Sequence, residues 1–94
     1  MSNRYREIKN IYKKYLILIK KGKKYVTIGI DKKILKILDI QDIKYLKFRC
    51  VNYLILDNLD IIEIYKCENN RYDEYYIKCK LINIVNYIND RRYR

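Results

Sequence analysis

The chain has 94 residues with 22 Lys and Arg against 11 Asp and Glu, no His and no Pro, and half of it is apolar. A chain this long builds one domain, with no room for a second independent core, and its apolar content excludes a disordered tail. The net charge of +11 favours nucleic acid or another anionic surface as partner and says nothing about the fold.

The excess charge is unevenly placed. Residues 1–50 hold 15 Lys/Arg against 4 Asp/Glu, whereas residues 51–94 hold 7 of each. A uniform lysine bias would not leave the second half neutral, so the first half has the character of a binding face. Ile, Lys, Tyr and Asn together supply 54 of the 94 residues. All four have AT-rich codons, which discounts the tyrosine count as a functional signal and hints at the genome of a virus or plasmid.

In chain order, Tyr5, Ile8, Ile11, Tyr12 and Tyr15 fall at helical spacing, with Ser2 or Asn3 as a possible N-cap. The run YLILIKKGKKYVTIGI then becomes continuously apolar, breaks at KKGKK and resumes with β-branched and aromatic residues. This reads as a hairpin turning at Gly22; extending the first helix to Lys21 with Gly22 as its C-cap is the rival. Asp31 to Leu38 forms two turns of helix, with Asp31 at its start, Ile34, Leu35 and Leu38 inward, and Lys32, Lys33 and Lys36 outward. Residues 43–50 carry apolar side chains on both alternating sets, as a strand covered on both faces would. Val51-Asn52 turns the chain into a strand at Tyr53 to Leu56. From Leu59 an added module is expected: a strand through Ile61, Ile62, Ile64 and Cys67, the polar turn ENNRYDE, a strand YYIKCKL, and a short helix through Leu81, Ile84, Val85 and Ile88. The end, DRRYR, is expected to fray.

The order strand, KKGKK, strand, short helix, strand, strand resembles the AbrB/SpoVT swapped-hairpin DNA-binding family. In DKKILKILDI (31–40), Lys32, Ile34, Lys36, Leu38 and Ile40 fall where that family has Lys, Ile, Lys, Leu and Ile, and QDIKYLKF (41–48) follows as the next strand would. The resemblance covers about residues 15–57. Asp31 stands where the family has Pro and Asp39 where it has Gly; Ile43-Lys44 replaces its Gly-Asp turn, and Val26-Thr27-Ile28 lies two residues too far from the helix. The resemblance implies an obligate homodimer of interleaved hairpins and DNA lying on the basic hairpin faces and helix starts. It also puts residues 59–94 outside the core, as a second dimerisation or partner module. The expected fold is thus a single α+β domain of mainly antiparallel strands, with one short central helix in a hairpin–helix–hairpin core.

The contact set is Lys20, Lys21, Lys23, Lys24, Lys32, Lys33 and Lys36, joined by Arg49. KKGKK sets four lysines around a turn, and lysine contacts phosphate as a point charge, giving salt-dependent, sequence-tolerant affinity. Arginine, the commoner guanine reader, is sparse in this half, although Asn10 or Asn52 could contribute. Base stacking on Tyr12, Tyr15 or Tyr45 is weighed against plain packing, which the AT-rich bias favours.

An enzyme is not expected. Ser2 and Thr27 are the only hydroxyl nucleophiles besides tyrosine, and Asp57, Asp60 and Glu63 with Lys66 only loosely resemble a nuclease arrangement. Cys50, Cys67 and Cys79, without histidine, make a poor zinc set, so neither metal nor cofactor is expected. They read as three buried thiols in a reducing cytoplasm, with a Cys67–Cys79 disulfide across a hairpin as the minor alternative. The polar N-terminus does not read as a signal peptide, and LILI is too short to cross a bilayer. The composite expectation is a soluble cytoplasmic homodimer that binds duplex DNA and regulates transcription. The alternative is a viral or plasmid inhibitor, or an antitoxin, acting on a protein partner through residues 59–94.

Overall fold

A computed structural model describes residues 3–39, 42 and 44–92. The expectations placed on Ser2, Ile40, Gln41, Ile43 and the last two residues lie outside the described residues. The elements are α1 (Asn3–Ile11), β1 (Leu16–Lys21), β2 (Lys24–Val26), α2 (Gly29–Leu38), α3 (Tyr45–Phe48), β3 (Tyr53–Asp57), β4 (Asp60–Tyr65) and α4 (Tyr72–Arg92).

The strands form one sheet in the order β2-β1-β3-β4. Its outer pairs are antiparallel and its central pair, β1 with β3, is parallel. The α+β class expected from the sequence is the class found, but the sheet is mixed and four helices accompany it. Burial explains the continuous LILI run. Leu16 and Leu18 point into a core shared with Ile34, Leu38, Leu46, Val51, Tyr72 and Cys79, on the side of α2, α3 and α4. Ile17 and Ile19 point the other way, against Tyr5 and Ile8 of α1. A strand covered on both faces has no polar side to show. The hairpin reading of KKGKK holds, with Gly22 in the left-handed region (φ 64°) at the turn.

Two strand expectations are corrected. Residues 45–48 are helical: β1 and β4 occupy both edges of β3, so this segment does not pair with β3 as the hairpin expectation required. Only Leu46 of α3 is buried, while Tyr45, Lys47 and Phe48 face solvent. The hairpin partner of β3 is therefore β4, drawn from the segment read as an added module. YYIKCKL is likewise helix. It belongs to α4, whose buried residues Tyr72 and Cys79 lie two helical turns apart, and the start signal sits in ENNRYDE. There the Asn70 side chain accepts the Tyr72 N–H at 3.1 Å, and Asp73 and Glu74 fill the first turn. Cys79 consequently cannot face Cys67 across a hairpin. Cys50 is disulfide-bonded to Cys67, with Cα atoms 5.5 Å apart, and only Cys79 is a free thiol. The three-free-thiol expectation fails because the turn after α3 and the end of β4 meet, a contact between segments distant in sequence. Among the described residues no helix is long and apolar enough to cross a membrane.

A buried polar knot holds these layers in register. The Leu16 N–H donates to the Asn52 carbonyl toward β3. The Ile17 N–H, pointing to the opposite edge, finds no strand there, because β2 pairs only with Ile19 to Lys21. The fully buried Asp31 of α2 takes its place, accepting the Ile17 N–H at 3.3 Å. Its carboxylate also accepts from Lys9 Nζ (2.9 and 3.0 Å), from the Tyr72 hydroxyl (2.7 Å) and, at the limit of reach, from the Tyr5 hydroxyl (3.5 Å). Lys9 further donates to the Tyr15 carbonyl and the Tyr72 hydroxyl. One aspartate thus joins α1, β1, α2 and α4.

Burial pushes the Tyr5 and Tyr72 hydroxyls well above the ordinary tyrosine value, and the Asp31 charge adds to it. Burial, with the Glu63 carboxylate, raises Tyr53 likewise. Burial lowers Lys9, and the attraction of Asp31 opposes that shift.

Removing one partner of a buried pair strands the other charge. Lys9→Met is expected to cost about 3 kcal/mol in urea denaturation. Lys14→Met, which breaks the exposed Lys14–Asp73 pair, is expected to cost under about 1 kcal/mol; equal costs would contradict the knot's role.

The raised tyrosines set an alkaline limit. The native chain keeps phenolic protons that the unfolded chain releases above about pH 10, so stability falls as pH rises from there. The lowered Lys9 acts oppositely, the unfolded chain holding the extra proton, but it is one group against three. Phenolate absorbance from Tyr5, Tyr53 and Tyr72 should therefore appear only as the chain unfolds. Ionisation of all 12 tyrosines with the fold intact would contradict this.

Candidate nucleic-acid interface

The β1–β2 hairpin carries one lysine group of the sequence, and α2, which follows β2 in the chain, carries the other. In the β1–β2 hairpin, Lys21 lies directly opposite Lys24 and Lys20 opposite Tyr25, with Lys23 in the turn. All are exposed. Like charges directly opposite across a ladder repel, so the tip carries an uncompensated cost in the free protein. By strand alternation Lys20 and Tyr25 share the face on which α2 lies, whereas Lys21 and Lys24 face the α1 side.

Along α2, Ile34 and Leu38 enter the core while Lys32, Lys33 and Lys36 stay outside, as their spacing implies. Between β2 and α2 runs an open groove of about 440 Å³, lined by Tyr25, Val26, Thr27, Lys32, Leu35 and Lys36, with Asp39 at one end. Lys33 is turned away from it and donates to the Asn83 side chain of α4 at 3.0 Å. Arg49 is not part of this face. It lines a separate cleft with Phe48, Cys50, Asn69, Arg71 and Tyr75.

Among the described residues no acid forms an ion pair with the lysines of the hairpin and groove, although Asp39 stands at the groove's end. Among the described residues the ion pairs are Arg4–Glu7, Lys9–Asp31, Lys14–Asp73 and Lys44–Asp42, so three of the four acids in residues 1–50 are engaged elsewhere. Lys20, Lys21, Lys23, Lys24, Lys32 and Lys36 have no such partner among the described residues.

The remaining sequence candidates have other employment. Tyr12 and Tyr15 pack edge to face, 5.2 Å between centroids, against the core under α1. Asn52 is buried and binds the Cys67 N–H at 2.7 Å through its side-chain oxygen. Tyr45 is half exposed, beneath Lys44. Glu63 accepts the Tyr53 hydroxyl, and among the described residues no group of three Cys, Asp or Glu side chains could hold a metal.

The sequence reading missed two groove residues. Tyr25 is exposed beside Lys32 and Lys36, and Thr27 is buried in the groove wall with a hydroxyl that has no hydrogen-bond partner among the described residues. The only signal for Thr27 was its rarity, since Thr27 and Ser2 are the chain's sole aliphatic hydroxyls. Comparison with protein-family models, with curated proteins and with solved structures finds no match.

An orphaned buried hydroxyl is a cost in the free protein. Replacing it by an isosteric methyl, Thr27→Val, is expected to raise stability by about 1 kcal/mol in urea denaturation. A loss of stability would show that the hydroxyl is satisfied in solution.

Proposed function

We propose that this protein binds duplex DNA through the β1–β2 hairpin and the exposed side of α2, as a small regulator of transcription. The observation that carries the reading is the facing pair Lys21 and Lys24 at a hairpin tip. Lys20 and Lys23 flank it, Lys32 and Lys36 stand beside the adjoining groove, and no acid among the described residues pairs with any of the six. A polyanion relieves that repulsion, and each phosphate contact releases condensed counterions. A lysine-bearing hairpin tip and a lysine-bearing helix side joined by one short strand suit a duplex backbone, whose phosphates follow one another along a curved line.

Lysine ammonium groups position a protein on DNA without reading bases. Binding should accordingly tolerate sequence changes, with any preference arising from duplex shape or from Tyr25 and Thr27 in the groove.

Anisotropy of a labelled random duplex over a range of salt concentrations tests this. Wild-type protein is expected to bind in the micromolar range with a steep salt dependence. Lys21→Ala, Lys23→Ala and Lys24→Ala together should weaken binding at least tenfold and lower the salt slope by about 2 to 3. Unchanged affinity and slope would remove the hairpin from the contact surface, and no binding by the wild type at low salt would overturn the reading.

A further inference from the structure

The 21-residue α4 carries two apolar stripes, and the fold uses one of them. Tyr72 and Cys79 are buried against the rest of the domain, and Ile82, Asn83 and Asn86 line a shallow cleft with Lys33, Lys36 and Ile37 of α2. On the opposite side, Ile77, Leu81, Ile84 and Ile88 alternate in steps of four, three and four, with Val85 beside them. These five are 49–57% exposed. That spacing is the a/d seam of a coiled coil, in which Tyr72, Cys79 and Asn86 take the position facing away from the seam.

We propose that this second stripe pairs with the same stripe of a second copy of the chain, the two α4 helices running antiparallel. Orientation and register follow from charge. The next seam positions outward are Glu74 at one end and Arg91 at the other. Glu74 forms no ion pair within the chain among the described residues, and Arg91 lies over the Tyr87 ring.

An antiparallel pair centred midway between Ile82 and Asn83 sets Ile77 opposite the second copy's Ile88 and Leu81 opposite its Ile84. It also sets Glu74 opposite Arg91 at both ends. A parallel pair would instead set glutamate on glutamate and arginine on arginine, which disfavours it. The antiparallel contact is isologous and closes as a dimer.

The stripe offers on the order of 400 Å² of apolar surface per chain. With its charged ends and the stems of Lys78 and Lys80, the two-chain contact reaches the order of 1,000 Å², about the lower bound of a specific interface. The α2 face with its lysines lies on the other side of α4 from the seam, so dimerisation leaves both basic faces free. The proposal does not depend on DNA binding, and its test contains no DNA.

Sedimentation equilibrium over micromolar concentrations should give twice the 11.7 kDa chain mass. Leu81→Glu with Ile84→Glu should weaken the dimer at least tenfold while the circular dichroism of the monomer stays native. Glu74→Arg or Arg91→Glu alone should each weaken it several-fold, and the two together in one chain should restore it, since both ends then pair again with signs exchanged. A mass of 11.7 kDa throughout would overturn the proposal. So would a dimer indifferent to the seam substitutions, which would place the interface elsewhere, or one indifferent to single charge reversal, which would make it parallel. If the glutamate variants fail to fold, the charge-reversal set still decides.

Discussion

The Asp31 carboxylate is the interaction on which the rest of the structure depends. A parallel β1–β3 pair at the centre of a four-stranded sheet needs something beyond β1, and β2 covers only three of its residues. The uncovered Ile17 N–H is buried, and such a donor cannot be left unpaired cheaply. A buried anion on α2 meets that need, and it in turn requires the ammonium of Lys9 and the hydroxyl of Tyr72. The demand for hydrogen bonds in a dry place therefore determines where α1, α2 and α4 sit.

The same economy of strand shapes the basic face. Because β2 stops at Val26, the chain turns at once into α2, and the Lys32 and Lys36 side of that helix lies beside the short edge strand. A longer β2 would have paired along the whole of β1 and displaced Asp31. The lysines keep a positive excess because Asp31 is committed to the interior and Glu7 and Asp42 pair with near neighbours in the chain, which leaves Asp39, among the described residues, as the one acid at the groove. The structural use of one carboxylate thus adds to the positive field outside.

How much of this was legible in the sequence depended on the range of the interaction. The hairpin around Gly22 and the inward Ile34 and Leu38 of α2 were readable, since turn chemistry and periodicity are local. Residues 45–48 were misread because apolar residues on alternating sets look alike in a strand and in a short helix that tucks in only Leu46. YYIKCKL was misread for a related reason. Alternation of Ile77, Cys79 and Leu81 fits a strand, while Tyr72 to Cys79 and Ile77 to Ile88 fit a helix with two apolar sides. The Asn70 side chain at the helix start was the deciding signal. Asp31 was placed correctly in the first turn of α2, but its role in the buried knot was not legible, because its partners are 14, 22 and 41 residues away. The Cys50–Cys67 pairing likewise depends on a meeting of loops that no spacing rule announces. Of the candidate contact residues, Lys20 of the hairpin shares the α2 side of the sheet with Lys32 and Lys36 while Lys21 and Lys24 point to the other side, Arg49 lines another cleft and Lys33 is engaged with α4.

The central claim is that the β1–β2 hairpin and the exposed side of α2, and not the net charge at large, meet the phosphates. Lysine acetylation footprinting by mass spectrometry, with and without saturating duplex, tests it most directly, because lysines occur on every side of the molecule. The account predicts that duplex shields Lys20, Lys21, Lys23, Lys24, Lys32 and Lys36, and leaves Lys66, Lys78 and Lys80 as reactive as in the free protein. Uniform shielding, or shielding centred on α4 or on the cleft at Arg49, would contradict it.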